Sequence, residues 1–141
     1  MKKVLRSPQI FFILLAILIT IIGFFKRGTQ LDFNYFLSFL LIDVWSIAIV
    51  SALFFILISI NFSSLKLMSK TPKKSLTSIQ VVLQIIALLP LIYYMTVATE
   101  GQESQSVALS NIILLFSFVI FILSVIIHLL NFFISLFKEN K

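Results

Sequence analysis

Asp43 is the residue whose type and position point most directly to chemistry, because this carboxylic acid lies within a long apolar run. An ionisable side chain at membrane depth costs roughly 2.5 to 3.5 kcal/mol on insertion scales, so it usually has a partner or a function. Tyr93, Tyr94 and Asn111 are expected at a similar depth and could hydrogen-bond it. These four residues form a candidate intramembrane polar site for a proton, a cation or a small ligand. The alternative is a structural Asp43, two turns into the N-terminal end of its helix, where the helix dipole and water stabilise a carboxylate.

A second polar layer is predicted from Gln80, Gln84, His128 and Asn131, with Asn61 nearby. A single histidine near a helix C-terminus more often packs or hydrogen-bonds than ligates a metal or moves protons. The layer offers too few ligands for a metal ion, and haem ligation by His128 would require an oligomer, because the chain has one histidine. The sequence therefore predicts no metal and no cofactor.

Enzyme signatures are missing from the sequence. It contains no H-E-x-x-H motif, no G-x-S-x-G motif, no glycine-rich phosphate loop and no cysteine. The run Leu31-Asp32-Phe33-Asn34 ahead of an apolar segment resembles small bacterial membrane proteins that are similar to a fragment of haem-copper oxidases. The His-Asp-Thr-Tyr pattern that follows in those proteins is missing here, so the resemblance implies no function. We expect a protein that is not an enzyme.

Four apolar runs must position these polar residues. The sequence is 60% hydrophobic and 11% charged, which is typical of an integral membrane protein rather than a soluble domain. Each run is long enough to span a bilayer as a helix, and the polar segments between them are too short for a second core. The prediction is a single all-α membrane domain with transmembrane helices at 8–25, 36–62, 79–99 and 107–131, the last followed by an interfacial helical tail at 132–137.

Small and polar residues recur along one face of each predicted helix. In the fourth run Ser110, Ser117, Ser124 and Asn131 stand at every seventh position. A spacing of seven stays against a neighbouring helix when the two helices wrap around each other with a left-handed twist. Comparable stripes in the other three runs predict a compact left-handed bundle with crossing angles of about 20°. Their members are Gln9, Ile13, Ala16, Thr20 and Gly23 in the first run, Ser38, Trp45, Ala48, Ala52 and Ser59 in the second, and Gln80, Gln84, Ala87, Tyr94 and Ala98 in the third.

The distribution of positive charge predicts the orientation. Of the eleven Lys and Arg residues, nine lie in the N-terminus, the segment between the second and third helices, and the C-terminus. Because cytoplasmic segments are enriched in Lys and Arg, both termini are expected in the cytoplasm, in a multi-pass protein of the cell (inner) membrane. The net charge of +6 is explained by anionic lipid headgroups, so no nucleic-acid partner is expected.

Three classes of function fit this composition. The leading hypothesis is a non-catalytic accessory or interaction subunit of a larger membrane complex. The runner-up is a small homo-oligomeric transporter or channel for ions, protons or a solute that uses Asp43. A third hypothesis is a membrane immunity or protection protein. The expected partners are the lipid bilayer and other membrane proteins or further copies of the chain.

The orientation can be tested by cysteine labelling, because the chain contains no cysteine. We expect single cysteines at Ser69 and Ser75 to be shielded from an impermeant maleimide added outside intact cells. A cysteine at Gln102 should react. Labelling in the opposite pattern would invert the predicted orientation, and permeabilised cells provide the control that all three positions can react.

Overall fold

The computed structural model describes residues 7–35, 38–97 and 104–137. Four helices account for most of them: α1 (Pro8–Phe25), α2 (Val44–Leu67), α3 (Lys74–Val97) and α4 (Ser104–Leu136). Two strands, β1 (Gln30–Tyr35) and β2 (Ser38–Asp43), lie between α1 and α2. Each helix contains a segment long and apolar enough to cross a membrane, which indicates a multi-pass membrane protein.

Helices α1 and α2 pack against each other as an antiparallel hairpin. Near one end of the pair, the Ser59 hydroxyl donates to the carbonyl oxygen of Gln9 at 3.0 Å. Near the other end, Gly23 faces Ala48, and a Cβ added to Gly23 would collide with the Cβ of Ala48. Small residues at this crossing let the two backbones approach closely, as is common in membrane helix pairs.

The residues that α1 buries coincide with the predicted stripe only at Ala16 and Gly23, whereas Gln9 and Thr20 are half-buried. Its buried positions are Pro8, Phe12, Ala16, Ile19 and Gly23. Ile13, which the spacing assigns to the inward face, is exposed instead. Each residue turns the helix by about 100°, so a face that contains Phe12 and Ala16 directs Ile13 away from α2. In α2, the predicted stripe is confirmed at Ala48, Ala52 and Ser59, which are all buried. Trp45 is half-buried, and Ser38 lies in β2 rather than in a helix.

The second helix begins later than predicted, because strand β2 occupies the segment that was expected to form its first turns. The two strands pair antiparallel, with Gln30 opposite Asp43. Polar and apolar residues alternate along β1, and this period of two is typical of a strand. The predicted helix start at Phe36 is therefore wrong, and α2 begins at Val44. Phe36 itself lies outside the described residues.

Helix α2 ends in a Schellman motif. The Lys70 N–H donates to the carbonyl oxygen of Leu65 at 2.8 Å, and the Ser69 N–H donates to that of Lys66 at 3.1 Å. Ser69 adopts the left-handed backbone conformation that this motif requires, with φ of 56°. The motif satisfies carbonyls at the end of α2 and turns the chain toward α3.

Helices α3 and α4 begin earlier than predicted. α3 begins at Lys74 rather than at Ile79, so that Thr77 lies inside its first turn. α4 begins at Ser104 and continues without a break through the predicted tail to Leu136. Ser135 is buried like Asn131 one turn earlier, so the same face of α4 stays covered in the tail. The predicted end of the third helix at Thr99 lies outside the described residues.

The four helices form two tightly packed hairpins, α1 with α2 and α3 with α4. Contacts between the two hairpins are sparser. The predicted stripe of α4 is confirmed at Ser117, Ser124 and Asn131, which are buried. Ser110 lies in α4, but its side chain is outside the described part of the chain. The bundle is therefore held mainly within hairpins, which leaves room between them.

The close crossing of α1 and α2 yields a stability test. We expect Gly23→Ala to lower the free energy of unfolding by about 1 to 3 kcal/mol, because the added methyl group overpacks the contact with Ala48. The double variant Gly23→Ala/Ala48→Gly removes the opposing methyl group and should restore most of the loss. Thermal unfolding in detergent measures both. Equal stability of the wild type and the single variant would contradict the close crossing.

Candidate functional site

A polar seam lies buried between α3 and α4. We use this name for the side chains of Thr77, Gln80, Gln84, Ser124, His128 and Asn131, which are all buried. The three residues of α3 follow a spacing of three and four, and those of α4 follow a spacing of four and three, so each set lies on one helix face. The structure therefore brings together all four residues of the predicted second polar layer.

Ser124 lies at the centre of the seam. Its hydroxyl oxygen is 2.8 Å from the Oε1 atom of Gln84 and 3.2 Å from the carbonyl oxygen of Gln80. The contacts join α4 to both a side chain and the backbone of α3. In an apolar environment the alternative to such bonds is an unsatisfied polar group, so they oppose separation of the two helices.

His128 connects the seam to the other hairpin. Its Nδ1 atom lies 3.3 Å from Oε1 of Gln80, and its Nε2 atom lies 3.1 Å from Nδ2 of Asn61 on α2. Because the amide Nδ2 of Asn61 can only donate, these partners select the neutral tautomer with its proton on Nδ1. The Phe62 ring packs edge-on against the imidazole, with ring centroids 5.1 Å apart.

Asn131 closes the seam at the end where α2 connects to α3. Its Nδ2 atom donates to the hydroxyl of Thr77 at 2.9 Å, and its Oδ1 atom accepts from the backbone N–H of Lys73 at 2.9 Å. One amide thus ties α4 to the first turn of α3 and to the residue that precedes it. Thr77 is absent from the predicted layer because it lies before the predicted start of the third helix at position 79.

Two donors of the seam have no hydrogen-bond partner among the described residues: the Nε2 atoms of Gln80 and Gln84. The other polar atoms described above are used to join helices. No group of three or more His, Cys, Asp or Glu residues that could hold a metal ion occurs within 7–35, 38–97 and 104–137. The described contacts of the seam are hydrogen bonds, and most of them join two helices.

Asp43 lies at the N-terminal cap of α2, not within the helix. Its Oδ2 atom accepts from the backbone N–H of Ser46 at 3.1 Å and from the Ser46 hydroxyl at 3.3 Å. A carboxylate in this position satisfies a backbone donor that the helix itself leaves unpaired. The prediction that Asp43 lies two turns inside a helix is corrected by this geometry.

The remaining members of the first candidate site are only partly described. The Tyr93 side chain is exposed on α3. Tyr94 and Asn111 belong to α3 and α4, but their side chains lie outside the described part of the structure. The proposed grouping of Asp43, Tyr93, Tyr94 and Asn111 is therefore still a prediction, and the described geometry assigns Asp43 a capping contact.

A lateral groove separates α2 from α4 on one side of the bundle. Its volume is about 740 Å³, and α3 contributes residues such as Ala87 and Leu91. The walls come from one face of α2, between Ser46 and Phe54, and one face of α4, between Leu114 and Ile126. The lining is mostly apolar. The sequence did not reveal this groove, because an apolar face looks the same whether lipid or protein covers it.

Comparison of the chain with protein-family models, with curated proteins and with solved structures finds no match. The arguments for function therefore come from the seam, the groove and the charges of this chain.

Two serines one heptad apart on α4 provide a matched test of the seam. Ser124 bonds α3, whereas the hydroxyl of Ser117 donates to the carbonyl oxygen of Ile113 in its own helix, at 2.9 Å. We expect Ser124→Ala to lower the free energy of unfolding by about 0.6 to 1.7 kcal/mol, between the mean and the maximum found for hydrogen bonds between membrane helices. Ser117→Ala should have a clearly smaller effect. Both are measured by unfolding in mixed micelles, and equal losses would show that the seam does not join the helices.

Proposed function

We propose that this protein is a non-catalytic subunit that binds a transmembrane helix of another membrane protein in the lateral groove. The observation that carries the proposal is the groove itself, a concave surface built from faces of three helices. On α4, the lining residues Leu114, Phe118, Phe121 and Val125 recur at the spacing of three and four that helices use to pack on each other. This face of α4 therefore has the spacing of a surface that packs against a helix, but it faces the groove.

The small residues of the groove favour a helix as its occupant. Ser46, Ser51, Ala87 and Ser117 contribute to the lining among bulkier Phe, Leu and Ile side chains. Lipid tails are as apolar as leucine, so helices associate in membranes where small residues allow close backbone contact. The walls between Leu114 and Ile126 extend about 18 Å, enough for roughly three turns of a partner helix.

The position of the polar seam explains why the groove can stay open. Asn61 and Phe62 contact His128 at one end of the bundle, so the two hairpins are joined there. The groove lies toward the other end, where α2 begins. A partner helix could therefore enter between α2 and α4 without breaking the hydrogen bonds of the seam.

A non-catalytic role is supported by the way in which the polar groups are used. Ser124, His128 and Asn131 bond neighbouring helices, and Asp43 caps α2. We further propose that the bundle lies in the cell (inner) membrane with a left-handed twist and both termini in the cytoplasm. Charge distribution and the spacing of small residues support these features.

Photo-crosslinking from paired positions tests the groove. Val50 lines it, whereas Leu53, one turn away on α2, does not, and the two side chains are 56% and 60% exposed. With a photoreactive residue at each position in the native host, we expect Val50 to crosslink to one defined protein several-fold more than Leu53. On α4 the matched pair is Phe118 inside the groove and Phe116 outside it, both exposed.

The crosslinked product identifies the occupant. A product with the mass of this chain plus a different membrane protein, from Val50 and Phe118 only, supports the proposal. A product of twice the mass of the chain would show that a second copy of this chain, and not a different protein, occupies the groove. Crosslinks to lipid alone, or equal products from all four positions, would contradict partner binding in the groove.

A further inference from the structure

Four lysines crowd the connection between α2 and α3. Lys66, Lys70, Lys73 and Lys74 lie within nine residues, and no Asp or Glu occurs between Val44 and Val97. We call these four side chains the lysine surface. Lys66, Lys73 and Lys74 are exposed, and Lys70 is half-exposed. The surface therefore carries a concentrated positive charge. Neither the connection itself nor the two helices that it joins, α2 and α3, contain an acidic residue.

The backbone holds the lysine surface in a defined shape. The Schellman motif fixes the backbone of Lys66 on the last turn of α2 and that of Lys70 just beyond it, through the hydrogen bonds from Lys70 N–H to Leu65 and from Ser69 N–H to Lys66. On the other side of the connection, the backbone N–H of Lys73 donates to Asn131 of α4 at 2.9 Å. The backbones of the four lysines are thus held at the end of α2, against α4 and at the start of α3.

Exposed apolar side chains accompany the lysines. Leu67 and Met68 lie on the same turn as the Schellman motif and are 87% and 56% exposed. Such side chains are stable where they can enter the acyl region of a membrane, while lysine ammonium groups reach the headgroups. The combination indicates that this end of the bundle lies at the level of the lipid phosphates.

We propose that the lysine surface binds the phosphate of anionic phospholipids, in preference to zwitterionic ones. A phosphatidylglycerol headgroup has a net negative charge, whereas the choline of phosphatidylcholine offsets its own phosphate. Clustered Lys residues next to a membrane helix attract anionic lipids through this difference. The basic pair Lys26 and Arg27 at the other end is less concentrated and is followed by the hairpin that contains Asp32 and Asp43.

The test measures lipid binding by the full-length protein in detergent. Phosphatidylglycerol or phosphatidylcholine is titrated into the wild type, into Lys66→Gln/Lys70→Gln/Lys73→Gln/Lys74→Gln, and into the control Lys26→Gln/Arg27→Gln. Native mass spectrometry counts the bound lipids. We expect the wild type and the control to prefer phosphatidylglycerol by about tenfold or more, and the quadruple variant to lose this preference.

Further measurements distinguish a phospholipid headgroup from free inorganic phosphate as the ligand, and provide variants to use if the quadruple variant misfolds. Inorganic phosphate should not compete at millimolar concentration, because the proposed ligand also contacts Leu67 and Met68 through its acyl chains. Should the quadruple variant fail to fold, the double variants Lys66→Gln/Lys70→Gln and Lys73→Gln/Lys74→Gln are each expected to lose part of the preference. Equal binding of both lipids, full competition by phosphate, or an unchanged preference in the folded variants would overturn the proposal.

Discussion

The hydrogen bonds of the polar seam are the constraint on which the rest of the bundle depends. A buried amide or hydroxyl without a partner is costly in an apolar environment, since neither lipid tails nor aliphatic side chains can replace its hydrogen bonds. A shift of α4 by one turn along α3 would separate Ser124 from Gln84 and Asn131 from Thr77 together. Leucine and isoleucine side chains pack acceptably in several registers of α4 along α3. The hydrogen bonds of the seam are what select one register.

The seam also determines where the bundle is closed and where it opens. His128 contacts Asn61 and Phe62 of α2, and Asn131 contacts the backbone of Lys73. The contacts of His128 join the two hairpins, and that of Asn131 holds the end of the connection between α2 and α3 against α4. Toward the beginning of α2 the facing surfaces are apolar and separate to form the lateral groove. Closure at one end and a groove at the other thus follow from the placement of a few polar groups.

The strand pair places a limit on where the membrane can begin. A two-stranded sheet leaves the outer backbone groups of both strands without partners in the sheet, which is costly in hydrocarbon, so the pair belongs at the membrane surface. Asp43 stands at the junction between β2 and α2, where its carboxylate accepts hydrogen bonds from Ser46. An acidic residue at such a junction stabilises the start of the helix. Because it lies at the membrane surface, its charge does not need a partner within the hydrocarbon region.

Apolar length and seven-residue spacing are local properties of the chain, so the sequence alone determined the four helices, the buried stripe of α4 and the polar layer around His128. Only the tertiary structure decided the start of α2, because a short apolar segment suits a strand or a helix and pairing with β1 selects the strand. It also decided which polar groups meet, such as Ser124 with Gln84, because spacing places a side chain on a face without naming its partner. The groove depends on the distance between α2 and α4, which is set by contacts of other residues, including Asn61 with His128.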